Sequence, residues 1–281
     1  MSTVAMPRSA APARGGALPW WLCFQGILWR ELLRFVQQRG RFFAALVRPL
    51  VWLFIFAAGF RAVLGVSIQP PYATYVLYEI YITPGLCGMI LLFSGMQSSL
   101  SMVYDREMGS MRALLVSPLP RWYLLCCKLV AGVLVAVIQV YAFLAIAWFW
   151  KVQPPAIGYL TVLPALILAG LMLSALGLLL SSFIRQLENF AGVMNFVIFP
   201  MFFLSSALYP LWRLRESGAE YLYWISIVNP FNHAVELVRF AAYGKLNLTS
   251  LAVVIGTAVI CFLLAAVAYD PQRGLIRRRR A

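Results

Sequence analysis

The titratable side chains of this chain are too few and too scattered to build a catalytic centre. His233 is the only histidine, so the H-E-x-x-H pattern, which sets two zinc ligands and a base on one helix face, has no counterpart. Glu79 and Asp270 stand at the ends of long apolar stretches, where an acidic residue is cheap, and no apolar stretch holds paired carboxylates. A proton-driven carrier needs buried relay groups at mid-span, and here the span centres are nearly bare. The one Gly-Lys pair, Gly244-Lys245, is followed by Leu246, so the phosphate loop G-x-x-x-x-G-K-[ST] is missing. The five cysteines (Cys23, Cys87, Cys126, Cys127, Cys261) are odd in number and show no C-x-x-C spacing, which argues against a disulfide framework or a zinc site. The chain is therefore expected to be no enzyme, to hold no cofactor, and to draw any energy it uses from elsewhere.

Polar residues concentrate instead in one stretch, Tyr104–Lys128, YDREMGSMRALLVSPLPRWYLLCCK. Asp105, Arg106, Glu107 and Arg112 crowd its first half, Pro118 and Pro120 break its second, and Leu114, Leu115 and Val116 form an apolar patch between them. Proline removes a backbone donor and clashes with the preceding turn. The helix must stop near Ser117 and restart with Pro120 in a new first turn. A mere connector needs only a few residues; this helix–turn–helix elbow, 104–128, is built to touch something.

The elements that hold the elbow are membrane spans. Of the 281 residues 63% are hydrophobic and 11% charged, a composition of polytopic membrane proteins and not of soluble domains. Residues 1–19, rich in Ala, Pro and Gly, read as a disordered segment without a cleavable signal peptide. Over 20–41, Trp21, Phe24, Leu28, Leu32 and Phe35 share one helical face and Arg30, Arg34, Gln37 and Arg41 the other, the pattern of an amphipathic helix lying in the interface with its basic face toward lipid headgroups. A six-span region, 42–270, follows, with spans at Phe42–Phe60, Ile80–Tyr104, Leu129–Trp150, Tyr159–Phe183, Asn189–Tyr209 and Leu246–Tyr269. Arg48 in the first is read as an anchor that snorkels. Gln97, Ser98 and Ser101 on the second span and Asn195 on the fifth are candidate pathway-lining residues, with helix–helix hydrogen bonding as the alternative.

Between the last two spans, 210–245 reads as a pair of short half-helices. Asn229 can cap a helix that begins at Pro230 and runs to about Tyr243, with Gly244 as its stop. Such a helix is too short to cross a bilayer. Phe231, Ala234, Val235 and Val238 would face one way, Asn232, His233, Glu236 and Arg239 the other. The tail, 271–281, is basic. With both termini inside, 17 of the 23 Lys and Arg residues fall on the cytoplasmic side, the positive-inside bias. That bias, not nucleic acid, accounts for the net charge of +14.

The sequence resembles the transmembrane permease subunits of ABC-2-type exporters, a family that includes nodulation lipo-oligosaccharide, antibiotic and polysaccharide exporters. The likeness covers residues 20–270 and rests on four stretches: the basic amphipathic helix; Tyr81-Ile82-Thr83-Pro84-Gly85-Leu86; Asp105–Arg112 with Ser117-Pro118-Leu119-Pro120-Arg121; and Asn229-Pro230-Phe231 with Val235 and Arg239. Met108 before Gly109-Ser110 is a small departure from the family's elbow. The resemblance implies an all-α integral membrane protein of the bacterial inner membrane. It implies two permeases, alike or paired with a second kind, joined to separate ATP-binding subunits that hold ATP and Mg. In such proteins the elbow is the coupling helix, which here assigns Asp105, Arg106, Glu107, Gly109, Ser110, Arg112, Leu114 and Leu115 to ATPase contact. The re-entrant half-helices, with Asn229, Pro230, Glu236 and Arg239, cap the pathway outside. A scaffolding membrane protein without transport is the competing class, and an intramembrane enzyme a weaker one.

Overall fold

The computed structural model describes residues 17–37, 39–60, 71–72, 76–108, 119–150, 152, 155–184 and 186–269. Every regular element among them is a helix: α1 Ala17–Gln37, α2 Arg39–Phe60, α3 Tyr78–Glu107, α4 Arg121–Phe149, α5 Gly158–Phe183, α6 Leu187–Phe203, α7 Leu211–Glu216, α8 Glu220–Val228, α9 Pro230–Ala241 and α10 Leu248–Ala268. The expected segments at 1–16 and 270–281 lie outside the described residues, as does the centre of the elbow, 109–118. The amphipathic helix starts at Ala17 and ends at Gln37, so Arg39 and Arg41 belong to α2. Each expected span coincides with a helix, and among the described residues α3, α4, α5 and α10 are both long and apolar enough to cross a membrane.

The bundle is arranged around α3. Every residue from Tyr81 to Phe93 is buried, and 72% of its most apolar window is covered, against 17% for α10. α5 makes the closest approach. A Cβ added to Gly95 would lie 2.9 Å from Ser174 Oγ, and one added to Gly177 would lie 2.7 Å from Ser99 Oγ. Small residues on both helices let the backbones meet, which is how spans associate when lipid is as apolar as leucine. α2 lies on the other flank of α3, where the Arg48 guanidinium sits 3.7 Å above the Phe93 ring. The anchor expected to reach the interface is thus held by an aromatic face.

The fifth expected span is shortened. α6 ends at Phe203 instead of Tyr209, and its 17 residues rise only about 26 Å. The chain can leave the helix there because Asn229 Nδ2 donates to the Met201 and Leu204 carbonyls at 2.7 and 2.6 Å. The same side chain caps α9 by accepting from the Phe231 amide at 3.0 Å. The 12 residues of α9 rise about 18 Å, and Gly244, at φ +66°, turns the chain away after it.

Candidate coupling site

At the end of α3 three consecutive side chains diverge, as a helix of 3.6 residues per turn requires. Asp105 turns inward. It is 6% exposed and accepts a hydrogen bond from Lys128 Nζ at 3.0 Å, the lysine itself being 4% exposed. Arg30 and Arg34 of α1 stand 3.9 and 3.8 Å from the same carboxylate, and Glu31 lies between them at 3.2 and 3.7 Å. Buried charges persist when their partners offset desolvation, and here α1, α3 and α4 each supply some of them. Asp105 and Lys128 stand at the two ends of the elbow, so the pair clamps those ends together.

Arg106 turns the other way. Its Nη2 donates to the Ser181 carbonyl at 2.8 Å and its guanidinium lies 4.8 Å from the centre of the Tyr269 ring. Ser181 Oγ is 2.8 Å from the Tyr269 hydroxyl, so α3, α5 and the end of α10 are tied at one level. Glu107 and Met108 are exposed. Of the described charges expected on the outer face of the elbow, Asp105 is buried and Arg106 half-buried in contacts within the chain, and Glu107 is exposed. Gly109, Ser110, Arg112, Leu114 and Leu115 lie outside the described residues, as does the Arg41 side chain.

The basic face of α1 also differs from expectation. Arg30 and Arg34 point at Asp105, because a buried carboxylate binds a guanidinium more strongly than hydrated headgroups do. The inner face of α1 packs Ile27 on Leu124, Cys127 and Ala131, with the Trp20 ring edge-on to Tyr123 at 4.6 Å and the Tyr123 hydroxyl donating to the Trp20 carbonyl at 2.7 Å. The exposed face carries Leu22, Trp29, Leu33 and Val36.

Gln97, Ser98 and Ser101 come together in a cleft with Ser94, Gln139, Glu31 and Arg34. Asn195 is exposed on α6 and does not join them. Ser99, on the opposite side of α3, meets α5 and donates to the Gly95 carbonyl at 3.1 Å.

At the far end of the bundle α9 is buried except for a half-exposed stripe of His233, Glu236 and Phe240. Phe231, Ala234, Val235 and Val238 are packed as expected, but Asn232 and Arg239, expected on an outward polar face, are buried too. They hold the 204–209 turn. Ser206 donates its amide to Asn232 Oδ1 at 2.9 Å and its hydroxyl to Glu236 Oε1 at 2.6 Å, and its carbonyl accepts from Arg239 Nη2 at 2.6 Å and from the Tyr81 hydroxyl at 3.0 Å. Arg239 also pairs with Glu236 and lies 4.2 Å from the centre of the Tyr81 ring. Burial holds the Tyr72 and Tyr243 phenols above their ordinary range, so both stay protonated. The lone His233 sits 2.9 Å from the Ile227 carbonyl through Nε2, a structural contact between α8 and α9.

Glu31, Ser181, Tyr269 and Ser206 were not among the residues the sequence singled out; Tyr81 entered only as part of a family-like stretch and Lys128 only as the last residue of the elbow. Only Lys128 left a signal, a cation two turns into an apolar run.

Comparison with known proteins places this geometry in context. Residues 23–243 match the ABC-2 type transporter family. A protein of Escherichia coli K12 named "Probable multidrug ABC transporter permease YbhR" is 33% identical over 165 residues, 58% of this chain and 43% of the relative. The chain thus aligns with less than half the length of that relative. Proteins named as transport permease ycf38 are 26% identical over 214 residues in Cyanophora paradoxa, 73% of this chain and 70% of the relative, and 24% identical over 222 residues in Porphyra purpurea, 77% and 72%. With four helices fit to cross a bilayer and a match that runs from α1 to the end of α9, the chain is a multi-pass membrane protein that belongs to the ABC-2 type transporter family as a permease subunit.

Proposed function

We propose that the chain is the permease of an ATP-driven exporter, moving an amphipathic, lipid-linked or drug-like substrate outward across a bacterial inner membrane. In this reading α2 and α6 complete six spans, both termini and the elbow are cytoplasmic, and the α8–α9 pair re-enters the outer leaflet. A second permease copy or partner completes the pathway, and separate ATP-binding subunits carry ATP and Mg.

One observation carries the reading: the ion cluster that fixes both ends of the elbow to α1 and to the root of α3. ATP-driven movement outside the membrane reaches the spans only through a contact with two discrete positions. An elbow clamped by Asp105–Lys128 and braced through Arg106 to α5 and α10 moves as a unit with the bundle. Glu107, exposed at its start, lies at the rim of the ATPase contact, with Leu114 and Leu115 at its centre.

The test is the substitution Glu107→Arg. A solvent-exposed change costs within about 0.5 kcal/mol of stability, whereas a reversed charge set against a matched partner costs about 2–5 kcal/mol of binding. The variant is expected to insert and purify normally, to lose the ATPase in pull-down from detergent, and to stop stimulating its turnover. A variant that keeps the ATPase and full transport removes Glu107 from coupling.

A further inference from the structure

A polar cleft lies beside the ion cluster. Ser94, Gln97, Ser98, Ser101 and Asp105 follow one another at three- and four-residue steps on one face of α3, a polar stripe about 16 Å long. Opposite it α4 presents Gly132, Val135 and Gln139, and α1 closes the mouth with Glu31, Arg34 and Phe35. A Cβ on Gly132 would come within 2.8 Å of Ser98 Oγ, so the glycine lets α4 close on Ser98 at the floor of the cleft. The cavity measures 60 Å³, room for about four waters or one small polar group, not for a lipid body.

Its lining has unspent hydrogen-bonding capacity. The Ser94 hydroxyl donates to the side-chain oxygen of Gln139, but the Gln139 amide nitrogen has no partner among the described residues, although the residue is only 6% exposed. The Ser98 hydroxyl has none either. The mouth carries Arg34 and Glu31, and the ion cluster they belong to holds three cations, Arg30, Arg34 and Lys128, against two anions, Glu31 and Asp105. Exposed apolar side chains, Leu33 and Val36 on α1 and Ile138 on α4, are next in sequence to the lining residues Arg34, Phe35 and Gln139.

We infer that this cleft binds the headgroup of an anionic, hydroxylated phospholipid of the phosphatidylglycerol type. The phosphate meets the cationic mouth at Arg34. The glycerol hydroxyls reach Ser98 and the free amide of Gln139. The acyl chains stay outside along Phe35, Val135 and the exposed apolar flank. An ammonium headgroup is disfavoured, because the only carboxylate lining the cleft, Glu31, is already held by two arginines. The inference rests on the proposed orientation only in naming the cytoplasmic leaflet as the source of the lipid.

The experiment uses the full chain in nanodiscs of phosphatidylglycerol, phosphatidylethanolamine and phosphatidylcholine in equal parts, without ATP or ATPase. Failure of the transport reading therefore does not enter it. A phosphatidylglycerol with a diazirine close to its glycerol is photolysed and the labelled peptides are mapped. Label is expected on the α3 and α4 peptides that contain Ser98 and Gln139, displaced by unlabelled phosphatidylglycerol and not by phosphatidylcholine or phosphatidylethanolamine. Gln139→Leu should lower it about fivefold, the effect of one hydrogen bond, and Gly132→Leu should abolish it by driving a side chain against Ser98. Should Gly132→Leu misfold, the headgroup competition in the unchanged chain decides alone. Label spread evenly over the exposed apolar helices, or displaced equally by all three lipids, overturns the inference.

Discussion

Asp105 and Lys128 put two opposite charges 3.0 Å apart in a region where neither is more than 6% exposed. Removing one leaves the other without its nearest counter-charge. Asp105→Ala is expected to destabilise the folded chain by about 3–5 kcal/mol, read as thermal unfolding in detergent. Replacing both, as Asp105→Leu with Lys128→Met, should recover most of that loss, because an apolar pair of similar volume pays no desolvation. A single mutant within about 1 kcal/mol of wild type, the range of an exposed pair, would show that the cluster is solvated. From the sequence Asp105 looks like a surface charge at the end of a span, since its partners lie 23 and more than 70 positions away and spacing carries no record of tertiary pairing. Local chemistry was more legible: the Asn229 cap and the Gly244 stop follow from neighbouring residues and stand where the sequence puts them.

At the scale of elements the α3–α5 contact and the α9 cap are the two joints most exposed to single changes. Gly95→Leu would force a side chain into the Ser174 backbone, 3.0 Å from where its Cβ would stand; overpacking of this kind costs about 1–3 kcal/mol, visible as a lower unfolding temperature. Asn229→Ala removes the α9 cap, worth about 1–2 kcal/mol, and also frees two α6 carbonyls. It should cost more than an ordinary cap and should loosen the 204–209 turn, measured by faster hydrogen exchange there. Periodicity located the helices of all six expected spans and the short helix at Pro230. It placed Asn232 and Arg239 of α9 on an outward face with His233 and Glu236, but a helix can bury polar side chains when a turn such as 204–209 supplies backbone groups to bond them. It also ran α6 on to Tyr209, since hydropathy does not register the Asn229 side chain that ends it.

For the whole molecule, the proposed topology predicts where probes react. Single cysteines placed at Gln153 and Ser217 in a version lacking the five native ones should react with an impermeant maleimide in intact cells, and labelling only after lysis would reverse the orientation. The burial pattern has a further consequence, for synthesis. α3 has a mean hydropathy of 1.5, the lowest of the four long spans, while α10 has 2.8, and a nascent helix enters lipid according to its own apolarity. The helix that ends up most enclosed is thus the one least able to settle in the bilayer alone. Its main partner, α5, is complete only 76 residues after α3 ends, roughly 4–15 s at about 5–20 residues per second. During that interval the insertion machinery must shelter α3. Substitutions at the Gly95–Ser174 contact should therefore show themselves first as nascent chains degraded before assembly, and only secondarily as a weakened finished protein.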